Sequence, residues 1–289
     1  MYTVRSYHDE FEIYEIRDDD TGCWFNIAPE RGAIVTSLGL AGKELLYLDE
    51  ATFRDKQANV RGGIPILFPI SGQLEAGKYT LDEQSFAMAN HGVARTSAWT
   101  VRGVTEEGSR GAIALQLESS PQTRQSYPFD FELLFDFVLE NGTFTIDQRY
   151  RNSSSQPMPM YAGFHPYFRS PEKKLHYTTD ATQYLDYNDM NVYPFDGFVD
   201  MEKRVESVVF LDAMKPRIAF EVPDQTKIEL TYGSEFKYVV LWTVAGRDFI
   251  CVEPWMAKNQ ALNTGEGLVF VEPGGELHTH MSIRQLPSV

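Results

Sequence analysis

An all-β fold, built as one large antiparallel β-sandwich with only short helices, is predicted for this chain by three observations. Apolar and β-branched residues fall in short runs, several of them alternating with polar residues. Glycine, proline and asparagine turns separate those runs. No long stretch keeps its apolar residues at helical spacing.

In chain order, residues 11–16, 24–27 and 34–38 read as the first strands. Residues 49–56 and 122–126 each allow one or two helical turns. Strands follow at 112–117, 131–139 and 143–150. In the last of these Phe144 and Ile146 are apolar while Thr143, Thr145 and Asp147 are polar, the period of a half-buried strand. Asn141-Gly142 sits between two such runs and is a strong signal for a two-residue hairpin. The polar residues 152–156 read as a loop. Strands are expected again at 208–211, 228–232, 238–243 and 249–252, and Pro273-Gly274-Gly275 marks a late turn. No repeat, linker or composition shift divides the chain, so residues 1–289 read as a single domain.

Composition narrows the function. Lys and Arg number 26 against 41 Asp and Glu, a formal net charge of −15. Such a surface repels phosphate polymers, so neither nucleic acid nor an anionic membrane is an expected partner. The acidic runs Asp18-Asp19-Asp20 and Glu106-Glu107 read as solvated turns. Cys23 and Cys251 are too far apart in sequence for a metal or redox motif, which excludes a disulfide framework and points to a reducing, cytoplasmic setting. Met1 to Arg5 lack the apolar run of a signal peptide. No window approaches the roughly 18 apolar residues of a membrane span.

Three segments place ionisable residues in glycine-, proline- and aromatic-rich surroundings. In Arg61-Gly62-Gly63-Ile64-Pro65-Ile66-Leu67-Phe68-Pro69 the glycines let the backbone come close and leave a guanidinium free to fork onto oxygen atoms; pairing with a carboxylate is the structural alternative. His91-Gly92-Val93-Ala94-Arg95 follows, where His91 is either a ligand contact or a packed histidine satisfied by a carbonyl. In Gly163-Phe164-His165-Pro166-Tyr167-Phe168, Pro166 biases His165 towards extended backbone. Its aromatic flanks suit either a proton donor or a packing residue. In Phe249-Ile250-Cys251-Val252-Glu253-Pro254-Trp255 a glutamate closes a strongly apolar strand. Charge is rarely placed there unless paired or used, and burial raises a carboxyl pKa towards the range of a general base. Trp255 offers a face for a sugar ring or a side chain for the core. His278 and His280 share a strand face but lack a third ligand. No GxSxG, phosphate-loop, HExxH or dinucleotide motif occurs, so no cofactor and no metal are expected.

Taken in order, RGGIPILFP, HGVAR, GFHPYF, CVEPW and the closing turn resemble the aldose 1-epimerase (mutarotase) family over nearly the whole chain. The PILFP…Lys78-Tyr79…HG-x-AR portion is similar to the LacX-type branch, and the leading RGG to glucose-6-phosphate 1-epimerases. The resemblance implies a galactose mutarotase-like β-supersandwich and a cofactor-free isomerase. Its implied partner is a small sugar or sugar phosphate, its implied state a monomer or homodimer. It further implies His165 as general acid, Glu253 as general base, and His91, Arg61 and Arg95 as substrate-binding residues. Glu206 takes the place of an aspartate that contacts sugar hydroxyls, and Val93 stands where the family usually has Phe. A hexose 6-phosphate held by Arg61, Lys78 and Arg95 is the alternative substrate. A non-catalytic sugar-binding protein is the alternative class.

Overall fold

The computed structural model describes residues 1–106 and 108–287, so Glu107 of the acidic run lies outside the described residues. Two large antiparallel sheets dominate. The nine-stranded sheet centres on Glu276–Leu286, Thr143–Asn152 and Phe131–Glu140. The eight-stranded sheet centres on Tyr238–Trp242 and Phe249–Trp255, with the short strands Gly163–Phe164 and Tyr167–Arg169 against the latter. A third sheet of five strands runs in sequence order from Tyr2–His8 to Lys43–Glu44. Helix is confined to brief turns such as Glu50–Arg54 and Thr123–Ser126, both inside expected segments.

Each expected strand is present, usually extended by one to three residues at an end. The hairpin at Asn141-Gly142 forms with Glu140 opposite Thr143, and the two turn residues take φ of 50° and 71°. Positive φ at both positions is what a tight turn needs to match the right-handed strand twist. In Thr143–Asn152 the buried face continues past Ile146 through Gln148, Tyr150 and Asn152. Gln148 is tolerated there because its amide donates to the Ile146 carbonyl and its oxygen accepts from the Tyr150 hydroxyl.

The main core lies between the two large sheets, with Phe135, Phe137, Phe144 and Ile283 of one packed with Phe164, Phe168, Ile250 and Val252 of the other. That packing defines the faces of Phe249–Trp255. Its even residues Ile250 and Val252 enter the core, so Cys251, Glu253 and Trp255 point to the opposite face. The candidate site is built on that second face.

One expectation fails locally. Asp18 is not solvated: it is 3% exposed and accepts from the Thr21 hydroxyl at 2.6 Å and the Asp20 amide at 3.2 Å. The carboxylate caps its own turn, a short-range role that a charge run conceals. No helix among the described residues is long and apolar enough to cross a membrane.

Candidate active site

Backbone register assembles the centre of the site. Gly163 is opposite Trp255 and Tyr167 is opposite Cys251 on the same strand. His165, two residues in from each end, therefore falls opposite Glu253. Pro166 has no N–H to give the ladder and separates the two short strands. On the other side of Phe249–Trp255, Val240 is opposite Glu253 and Trp242 opposite Cys251. The His165–Glu253 pair thus occupies one row of a sheet face, between aromatic and aliphatic rows.

His165 Nε2 lies 3.5 Å from Glu253 Oε2, and the Trp255 indole N–H donates to the same oxygen at 3.1 Å. Tyr167 stacks flat on the His165 ring at 4.6 Å, and Trp242 meets it edge-on at 5.7 Å. Glu253 is 1% exposed and His165 6%. Burial raises the Glu253 pKa well above the usual carboxylate range, against the Trp255 N–H and the Arg95 charge, which lower it. Burial also lowers the His165 pKa well below its ordinary value, helped by His91 and Arg95. Both groups are drawn towards neutrality, and a neutral pair carries one transferable proton.

The pair opens into a cavity of about 350 Å³ whose lining includes all six predicted site residues. His91 has φ of 68°, and its Nδ1 is 2.6 Å from the Ser71 carbonyl oxygen. A carbonyl can only accept, so the proton resides on Nδ1 and Nε2 is left as an acceptor. Burial pulls the His91 pKa down to about 3, with Arg95 and Arg61 adding to the effect, which keeps the ring neutral. The glycine after it is required: Gly92 has φ of 74°, and a Cβ there would sit 2.2 Å from the Phe68 carbonyl oxygen. That carbonyl also accepts from the amides of Val93 and Ala94, which ties HGVAR to RGGIPILFP.

Arg61 is exposed on the cavity wall with its guanidinium 5.0 Å over the Trp242 ring, and Arg95 is half-buried deeper in. Among the described residues neither arginine has a carboxylate partner within 4.0 Å. Glu206 stands exposed on the rim, its backbone N–H and carbonyl both held by the Asn188 side chain. Lys78 does not line the cavity; it opens the strand Lys78–Leu81, paired with Gln84–Ala87 in a separate hairpin, so the three-cation cluster does not form. Trp255 is 4% exposed and serves the site through its N–H more than through an open face.

Sequence reading passed over Trp242, the Ser71 carbonyl and Asn188. Trp242 ends a recognised strand, but only its register with Cys251 shows that it faces the site. Ser71 acts through its backbone carbonyl, and the Asn188 side chain acts on the backbone of a residue eighteen positions away, which residue type does not signal.

Comparison with known proteins agrees with this architecture. Residues 18–284 match the family model described as aldose 1-epimerase. The crystal structure of the Slr1438 protein from Synechocystis sp. PCC 6803 superimposes with a TM-score of 0.92 at 34% identity, covering 99% of each chain. A galactose mutarotase related enzyme from Lactobacillus acidophilus has the same fold, with a TM-score of 0.76 at 18% identity over 99% of this chain and 98% of that one. An Escherichia coli protein named provisionally as a glucose-6-phosphate 1-epimerase is 30% identical over 108 residues, 37% of this chain. That match spans about a third, 34%, of the relative's own length.

Proposed function

Because the chain belongs to the aldose 1-epimerase family, we propose that it interconverts the α and β anomers of an aldose by acid–base ring opening and closure. The observation that carries this reading is the His165–Glu253 pair at 3.5 Å, on the floor of a cavity lined by hydrogen-bonding groups.

In this mechanism the reactive form of the pair has its single proton on His165 and Glu253 ionised, a form that burial disfavours and that the Trp255 N–H and Arg95 support at the carboxylate. Glu253 takes the proton of the anomeric hydroxyl as His165 protonates the ring oxygen. The C1–O5 bond breaks with its electrons going to oxygen, and C1 becomes a carbonyl. The enzyme is then left with Glu253 protonated and His165 neutral, the distribution that burial favours, which stabilises the ring-opened stage. Rotation about C1–C2 presents the other carbonyl face. Reversed transfers close the ring to the opposite anomer and restore the starting protons. Neutral His91 offers Nε2 to a sugar hydroxyl, Arg61 and Arg95 donate to oxygens, and Glu206 accepts from hydroxyls at the rim. The chain itself supplies every proton donor and acceptor in this scheme.

A hexose 6-phosphate is the second reading, favoured by the absence, among the described residues, of carboxylate partners around Arg61 and Arg95. Placement of residues 1–289 in one domain is supported by a main core that draws on segments from Ile16 to Ile283. A cytoplasmic location and a monomeric or dimeric state complete the proposal.

NMR exchange spectroscopy on glucose, galactose and glucose 6-phosphate tests it. Acceleration for any of the three is the expected result, and the order of rates separates free from phosphorylated substrate. Binding without acceleration would replace the enzyme with a sugar-binding protein.

A further inference from the structure

Cys251 has no part in the proton transfers, yet its thiol belongs to the same cluster. It is two residues before Glu253 on the same strand face, is fully buried and carries no disulfide. One ligand atom each from His165, Cys251 and Glu253 lie within 4.8 Å of one another. His165 Nδ1 is buried with no hydrogen-bond partner among the described residues, while Nε2 is the ring nitrogen turned towards Glu253. A nitrogen, a sulfur and a carboxylate oxygen at this spacing form a mixed ligand set suited to a soft or borderline divalent ion.

We propose that His165, Cys251 and Glu253 form a binding site for a soft divalent cation of the Zn²⁺ or Cd²⁺ type, whose occupancy blocks aldose chemistry. The blocking half rests on the acid–base reading above; the binding half does not.

Geometry and charge both allow it. Metal–ligand bonds of about 2.0–2.3 Å in a tetrahedral site put ligand atoms about 3.5 Å apart. His165 Nε2 and Glu253 Oε2 already stand at 3.5 Å, so adjustment falls mainly on the sulfur. A thiolate and a carboxylate neutralise a 2+ ion, which suits a buried position facing two uncompensated arginines. An ion held by water or by carboxylate alone would be repelled there. On binding, the Cys251 thiol loses its proton to solvent, as does Glu253 if protonated, and the imidazole gives a lone pair. His165 and Glu253 line the cavity, so water or chloride from it would complete the shell. The ion then occupies the lone pairs that the sugar reaction requires.

The test is titration of the full-length protein with Cd²⁺, followed by calorimetry and by the ultraviolet thiolate-to-cadmium charge-transfer band, alongside anomer exchange. One Cd²⁺ per chain is expected, with a band that Cys251→Ala and Cys251→Ser remove and Cys23→Ala leaves in place. Each Cys251 variant should keep the exchange rate and need at least about tenfold more Cd²⁺ for half-inhibition. Glu253→Gln should weaken Cd²⁺ binding while keeping the band. Absence of the band, or a band indifferent to both Cys251 variants, overturns the site. A Cys251-dependent band in a protein without exchange activity supports the site while removing the mutarotase reading. A Cys251-dependent band with uninhibited exchange overturns the blocking role.

Discussion

His165, on the link between the short strands Gly163–Phe164 and Tyr167–Arg169, faces Glu253 of the neighbouring antiparallel strand, with imidazole Nε2 3.5 Å from the carboxylate oxygen. Directly opposed residues on a sheet have Cβ atoms about 4.5–5.5 Å apart. The pairing on either side of His165 therefore sets this separation, and the flanking Phe164 and Phe168, like Ile250 and Val252 beside Glu253, are anchored in the core. Such a site needs no loop closure to bring its imidazole and carboxyl together.

Removing either proton carrier should stop the chemistry. Glu253→Gln and His165→Asn are each expected to slow anomer exchange by about 10²–10⁴-fold. Exchange NMR gives the rate, and circular dichroism shows whether the fold persists. A variant that exchanges at the full rate takes its residue out of the mechanism.

Trp255 acts as a positioning residue through its N–H to Glu253. A hydrogen bond to a charged group contributes about 1.5–3 kcal/mol, so Trp255→Phe is expected to lower kcat roughly ten- to a hundredfold. Loss of that N–H also raises the Glu253 pKa. The acid limb of the kcat/KM profile should therefore move to higher pH, which a purely structural role for the indole would not produce.

His91 makes stability depend on pH. Its native pKa is about 3 against an ordinary value of 6.5. Between those values the unfolded chain binds a proton that the native protein refuses, so stability is lost as pH falls from about 6.5 towards 3. The loss is about 1.4 kcal/mol per pH unit for this one group. Urea melts across that range should show a shallower pH slope for His91→Asn, in which an asparagine also suits the positive φ. An unchanged slope would mean that His91 is protonated in the native state.

Two glycines with nearly the same φ should respond differently. Gly142, at 71°, has open space where a Cβ would go, so Gly142→Ala is expected to cost about 1–2 kcal/mol of backbone strain. Gly92, at 74°, would drive a Cβ against the Phe68 carbonyl oxygen. Gly92→Ala should therefore destabilise by more than that and raise KM by displacing His91. Equal melting temperatures for the two variants would contradict the close approach seen at Phe68.

The longer strands were legible because each buries one face against the core, so Phe144 and Ile146 must alternate with Thr145 and Asp147. Two-residue strands such as Ile66–Leu67 were not, since they have too few side chains to display a period. Five of the six candidate residues were legible through their motifs and Glu206 through its place before a strand, and all six line one cavity. Trp242 and Ser71 were missed because one is placed by register and the other acts through its backbone. Lys78 was misplaced for the converse reason: nearness in sequence to HGVAR does not carry a hairpin residue into the cleft.

The sequence by itself determined the fold class, the hairpin at Asn141-Gly142 and the residue types of the site, because these depend on local periodicity, turn stereochemistry and short motifs. Only the tertiary structure decided that His165 stands opposite Glu253, that Cys251 shares their face, and that Arg61 and Arg95 have no carboxylate partner among the described residues. These are matters of strand register and sheet order. A shift of one residue would turn every one of those side chains to the other face, and no local property of either strand reports which alignment the core packing selects.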